Sequence, residues 1–178
     1  MSPLGIVIIL ILGAILAGLC LFFGRQVLFA VTMLHGPVFV PSADDKLQTM
    51  LSLPKLTKKS KVIDLGSGDG KVLIELATKH GLKATGVEIN PILVKKSKNL
   101  IKSLGLSKQI TIHKQSFWKT DLSDYDVVFL YGTSYIMEKL EQKLKKEMKP
   151  GSQLVSNYFK LPGLKPSKTK NGVYLYRF

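Results

Sequence analysis

Cysteine, tryptophan and acid are scarce in this chain, and its first 24 residues carry no charged side chain at all. Cys20 is the one cysteine and lies inside that uncharged stretch. A disulfide, a cysteine metal cluster and a cysteine nucleophile are thereby excluded. The three histidines, His35, His80 and His113, are scattered without metal-ligand spacing, so no metal site is expected. There are 12 acids against 26 bases, a net charge of +14, and all of it follows Gly24. Such a surface is drawn to anionic headgroups or to nucleic acid. A solvated, lysine-rich surface explains it equally well, because the lysines are spread over several helices. Internal repeats and low-complexity linkers are also missing.

What is present begins with "LGIVIILILGAILAGLCLFFG", about 20 apolar residues, enough to cross a hydrocarbon core of roughly 30 Å as a helix. A cleaved signal peptide would want basic residues before a shorter apolar run. The expected organisation is an anchor over 1–24, a juxtamembrane linker over 25–41 and one domain over 42–178. Arg25 and every other charge follow the anchor, so the positive-inside tendency places the domain on the cytoplasmic side of a single-pass membrane protein.

Strand and helix patterns alternate through the domain. Ser42 is placed to cap a helix over "SADDKLQTMLSL". "KVIDLG", "KATGVEI", "QITIHK", "YDVVFLY" and "SQLVSNYF" read as strands. Between them, "DGKVLIELATKHG", "NPILVKKSKNLIKSLG" and "SYIMEKLEQKLKKEMKPG" read as helices with apolar faces. "KTKNGVYLYRF" ends the chain as a hairpin turning at Asn171-Gly172. The expected fold is α/β: a Rossmann-like, doubly wound, mostly parallel sheet with a C-terminal antiparallel hairpin, preceded by one transmembrane helix.

The first strand runs into "DLGSGDGK", with glycines at Gly66, Gly68 and Gly70. A dinucleotide fingerprint would need glycine at Lys71. A phosphate loop would need glycine at Leu65 and a hydroxyl residue at Val72. Neither fits. Asp64 precedes the turn, and Glu88 closes the second strand, where an acid accepts hydrogen bonds from ribose hydroxyls. An acid beside the turn repels pyrophosphate but suits a ligand carrying an ammonium and a sulfonium.

"VIDLGSGDG" with "GVEIN" resembles the first motif and following acid of class I, seven-β-strand S-adenosylmethionine-dependent methyltransferases. The resemblance implies S-adenosylmethionine as cofactor. It implies that Gly66, Gly68 and Gly70 let the backbone approach the methionyl part. Glu88 would hold the ribose hydroxyls, Ile89 would pack on the adenine, and the stretch Ser116, Phe117 and Trp118 would edge the base. "GPVFVPSADDKLQTML", "GVEINPILV" and "FLYGTSYIMEKLEQKLKKEMKPGSQLVS" are similar to one branch of that family. That branch holds small bacterial membrane-anchored enzymes and the mitochondrial lysine methyltransferases of the ATP synthase c-subunit and of adenine nucleotide translocase. It implies a protein lysine as acceptor.

"LYGTSY" after the fourth strand lacks the Asp/Asn/Ser-Pro-Pro-aromatic pattern of nucleobase N-methylation, which makes nucleic acid the less favoured partner. Tyr131, Pro41 and Ser42 are candidates for the acceptor channel, with core cover and helix capping as their structural roles. No general base stands out, so the catalytic residues stay open. Desolvation and a sulfonium neighbour both lower a lysine pKa, so a strong base is not required. The rival functions are methylation of a lipid or quinone, methylation of nucleic acid, and donor binding by a non-enzymatic assembly factor.

Overall fold

The computed structural model describes residues 2–35 and 44–178. The chain divides into two compact units, Met1–His35 and Gly36–Phe178.

The first unit is a single helix, α1 (Pro3–His35). Its stretch Pro3–Val27 has a mean hydropathy of 3.1 and is long and apolar enough to cross a membrane. Large side chains such as Leu10, Leu21 and Phe23 are exposed within the unit. The helix runs past the expected anchor end at Gly24 and through Arg25, because no glycine or proline interrupts the sequence before His35.

The second unit contains α2 (Asp44–Ser52), β1 (Val62–Leu65), α3 (Lys71–His80), β2 (Ala84–Glu88), α4 (Pro91–Ser103), β3 (Ile110–Lys114), β4 (Val127–Tyr131), α5 (Met137–Glu147), β5 (Gln153–Asn157), β6 (Lys168–Lys170) and β7 (Val173–Arg177). Two 3₁₀ turns, Phe117–Lys119 and Ser134–Ile136, precede β4 and α5. The sheet order is β3-β2-β1-β4-β5-β7-β6. β1 to β5 run parallel, and β7 pairs antiparallel with both β5 and β6. The order reverses at β1 and β4, which opens a crevice at their carboxyl ends.

Side-chain alternation along the strands builds two cores. Val62, Val127, Phe129 and Val155 pack with Leu47 of α2, Leu73 of α3 and Val94 of α4. Ile63, Leu65, Val128, Leu130 and Leu154 point the other way and pack with Leu140 and Leu144 of α5. Burying both faces is why β4 is a continuous apolar run. Asn90 caps α4, its Oδ1 accepting the Ile92 N–H at 2.9 Å, with Pro91 in the first turn. The terminal hairpin turns as expected at Asn171 and Gly172, with φ 50° and 70°.

Two further elements differ from the reading of the sequence. The helix after β4 opens as a 3₁₀ turn, closed by Ile136 N–H to the Thr133 carbonyl at 3.1 Å, and becomes α-helical at Met137. The fifth strand stops at Asn157, because Tyr158 takes a left-handed backbone with φ 72° and cannot continue a ladder.

Candidate active site

The glycine turn is built from backbone hydrogen bonds. The N–H groups of Gly66 and Ser67 both donate to the Val87 carbonyl, at 2.9 and 3.0 Å, so the chain leaving β1 curls over the end of β2. Gly66, Gly68 and Gly70 have φ of 77°, 54° and 85°, a left-handed series that side-chain-bearing residues rarely adopt. Beneath the turn, a Cβ on Gly86 would lie 2.5 Å from Leu73 Cδ1 and 2.6 Å from Ser67 Oγ. Only glycine lets β2 pass this close.

Glu88 ties the two strand ends together. Its Oε2 accepts the Gly68 N–H at 2.9 Å and its Oε1 accepts the Asn90 N–H at 2.8 Å. The side chain is buried at 7 % exposure, yet each carboxylate oxygen keeps a second lone pair. Those lone pairs can accept hydrogen bonds from the hydroxyls of a ligand lying over the turn.

Asp64 is buried one strand over, and its carboxyl is pushed up to about 7. Burial is the largest cause, followed by the charges of Glu88 and Asp69. All three work against the carboxylate, so the site favours a cation placed beside it. Ser67 Oγ is likewise buried and without a hydrogen-bond partner among the described residues. A buried acid and a carboxylate with spare lone pairs fit a ligand bearing a cationic end and a polyhydroxyl part.

The adjacency of β1 and β2 therefore gathers Asp64, Gly66, Gly68, Gly70 and Glu88. Ile89 follows Glu88 and is half-buried. Ser116, also half-buried, precedes the first 3₁₀ turn. Phe117 is taken up by the core, 4 % exposed, with its ring 4.7 Å from that of Trp118. Tyr131 ends β4, beside β1 at the reversal of strand order. Pro41 and Ser42 lie outside the described residues.

Reading the sequence alone missed Ser67, the backbone of Asn90 and the group Asn157, Tyr158 and Phe159. Asn90 was visible only as a helix cap. The last three were hidden inside what looked like a continuing strand.

A doubly wound sheet in this order, with a glycine turn after β1 and an acid closing β2, defines a class I S-adenosylmethionine-dependent methyltransferase. Residues 64–168 match the ANTKMT methyltransferase domain, and the chain belongs to that family. It is 34% identical over 151 residues to a protein-lysine N-methyltransferase of Saccharolobus islandicus (strain REY15A), covering 80% of this chain and 93% of the relative. It is 37% identical over 130 residues to the ATP synthase c-subunit lysine N-methyltransferase of Caenorhabditis elegans, covering 70% of this chain and 67% of that one. Among solved structures, an RNA methyltransferase from Salinibacter ruber in complex with S-adenosyl-L-homocysteine superposes with a TM-score of 0.72. It shares 31% sequence identity and covers 78% of this chain and 92% of its own.

Proposed function

We propose that this methyltransferase transfers a methyl group from S-adenosylmethionine to a lysine side chain of a protein, and that α1 anchors it in a membrane with the domain on the cytoplasmic side. The observation that carries the acceptor class is the match along 93% of a protein-lysine N-methyltransferase. The anchor rests on the apolar stretch Pro3–Val27 followed by a strongly basic domain. A membrane protein is then the acceptor nearest to hand.

Each site residue has a part in this reading. Glu88 accepts the ribose hydroxyls while its other lone pairs keep the turn closed through Gly68 and Asn90. Asp64 faces the cationic amino-acid end. Gly66, Gly68 and Gly70 let the main chain approach that end without Cβ atoms. Ile89 covers one face of the adenine, and Ser116 with the main chain of Phe117 edges it. Tyr131 borders the acceptor side. When bound, the donor supplies a methyl on a sulfonium sulfur. An acceptor amine that had lost one proton to water would take that methyl, its lone pair forming the N–C bond as the C–S bond broke to a thioether. No base on the chain is needed, because a buried ammonium near a sulfonium loses its proton more readily than in water.

The likeness to an RNA methyltransferase, together with the net charge of +14, favours nucleic acid as the second reading. One experiment separates them. Purified protein is incubated with methyl-labelled S-adenosylmethionine and an extract of cells lacking it, and protein, lipid and nucleic acid are then separated. Label recovered as methyl-lysine is the expected result. Label confined to nucleic acid or to lipid would replace the lysine reading.

A further inference from the structure

The carboxyl ends of β4 and β5 hold a group of side chains that the donor site does not use. Tyr131 and Asn157 are register partners across these strands. Strand alternation puts both on the same sheet face as Asp64, whose own partner on β4 is Phe129, two residues before Tyr131. With strands about 4.8 Å apart, this group stands roughly 10 Å from Asp64, on the far side of the strand reversal from Glu88.

Tyr158 is the unusual member. Among the described residues only Tyr158 and Asn171 have positive φ without being glycine, at 72° and 50°. Asn171 sits in a hairpin turn that calls for it. Tyr158 has no such excuse, and burial does not compensate it, since 61% of the residue is exposed. A strained backbone holding an exposed ring is the pattern of a functional position. The strain is locked in by three bonds. Tyr158 N–H donates to the Gly172 carbonyl at 2.9 Å, Phe159 N–H to the Asn157 carbonyl at 2.9 Å, and Ser156 Oγ to the Phe159 carbonyl at 2.6 Å.

The rings form a cluster: Tyr131 to Tyr158 at 6.4 Å, Tyr131 to Phe159 at 6.5 Å and Tyr158 to Phe159 at 5.8 Å between centroids. Beside them, Asn157 is 2% exposed and its Oδ1 has no hydrogen-bond partner among the described residues. A buried acceptor atom without a donor wants an N–H or O–H from outside. The Lys46 ammonium, hydrogen-bonded to the Asn171 carbonyl and Oδ1, stands 5.7 Å from the Tyr158 centroid, so that ring accommodates a cation nearby.

We propose that Tyr131, Tyr158 and Phe159 form the seat for the acceptor's lysine side chain, with Asn157 Oδ1 accepting a hydrogen bond from its nitrogen. The inference rests on the protein-lysine reading and assigns that substrate its place. Aromatic faces pack the lysine methylenes and hold the ammonium by cation–π attraction. Asn157 then orients the nitrogen without adding a charge that would keep it protonated.

The test uses the full-length protein, the same cell extract and methyl-labelled S-adenosylmethionine, with methyl-lysine counted after hydrolysis. Tyr158→Gly removes the ring and relieves the left-handed strain, so the variant is expected to melt no lower than the parent. It should raise the acceptor KM about tenfold. Its S-adenosylmethionine affinity, read by calorimetry, should be unchanged. Tyr158→Phe keeps the ring and should methylate nearly as well as the parent. Asn157→Leu should also raise the acceptor KM without touching donor affinity. If Tyr158→Gly methylates like the parent, or loses donor affinity in step with activity, the seat is wrong although lysine methylation stands. Should Tyr158→Gly not fold, Tyr131→Leu takes its place under the same criteria. If the parent makes no methyl-lysine, the lysine reading falls and takes the seat with it.

Discussion

The two sides of the crevice are built in opposite ways. On the β1–β2 side the turn is closed by hydrogen bonds: Gly66 and Ser67 to Val87, Gly68 and Asn90 to Glu88. On the β4–β5 side, Thr133 Oγ1 and Asn157 Oδ1 have no partner among the described residues, and an exposed ring sits on a strained backbone. The backbone of the first side is set before any ligand arrives, and its one orphaned hydroxyl among the described residues, Ser67 Oγ, lies beneath the turn. The second leaves its polar atoms waiting for a ligand. A donor common to a whole class of enzymes can be met by a rigid, backbone-built cradle.

The sharpest way to test the contrast is Asp64, among the described residues the one buried acid on the closed side with no hydrogen bond or ion pair. Its carboxyl moves from the ordinary 3.8 to about 7 on folding. The folded state therefore holds its proton more tightly than the unfolded chain does. Stability of the ligand-free domain falls as pH rises from about 4 to about 7, by about 4 kcal/mol in all. Asp64→Asn should abolish that slope in denaturant titrations; an identical slope in variant and parent would mean the carboxylate is already compensated. Binding of a cationic donor pulls the carboxyl back toward its ionised form. Donor affinity should accordingly fall about tenfold for each pH unit below 7 in the parent, and stay flat in the variant.

Gly86→Ala breaks the closed side mechanically. The new methyl meets Leu73, Ser67 and Ile112 within 2.8 Å. A loss of about 1–3 kcal/mol in unfolding free energy is expected. An unchanged melting temperature would show that β2 and α3 can spread apart freely.

Glu88→Ala attacks the same side chemically. It strips two N–H groups of their acceptor and removes the lone pairs offered to the ribose. S-adenosylmethionine affinity should weaken by about 1–3 kcal/mol in calorimetry. Equal affinity would take Glu88 out of the donor site.

The smallest effect is expected on the open side, and with the opposite sign. Thr133→Val replaces an orphaned hydroxyl by a methyl of the same shape. Stability should rise by up to about 1 kcal/mol, with donor affinity unchanged. A drop in melting temperature would mean that Thr133 has a partner the contrast overlooks.

The donor side was legible because each of its features is a local pattern. Alternating apolar residues, three glycines at fixed spacing and an acid at a strand end are read one segment at a time. Asn90 and Ser67 were legible as residues but not as parts of the site, because their bonds to Glu88 and Val87 exist only once β1 and β2 lie side by side. Phe117 was legible by its place after β3, but only the tertiary structure packs its ring among β1, β4 and α5. The β4–β5 side stayed hidden because "SNYF" looks like strand to its end. Nothing local announces that Tyr158 turns left-handed there.

By itself, then, the sequence determined the doubly wound α/β class, the glycine turn with Asp64 and Glu88, the donor they imply and the apolar N-terminal helix. All of these follow from periodicity, composition and short-range spacing. Tertiary structure alone decided that Gly86 must be bare, that Asp64 is buried without a counter-charge among the described residues, and that Tyr131, Asn157, Tyr158 and Phe159 share one end of the sheet. These depend on which strands become neighbours and on what each buried group meets there, and such pairings between distant segments leave no local trace.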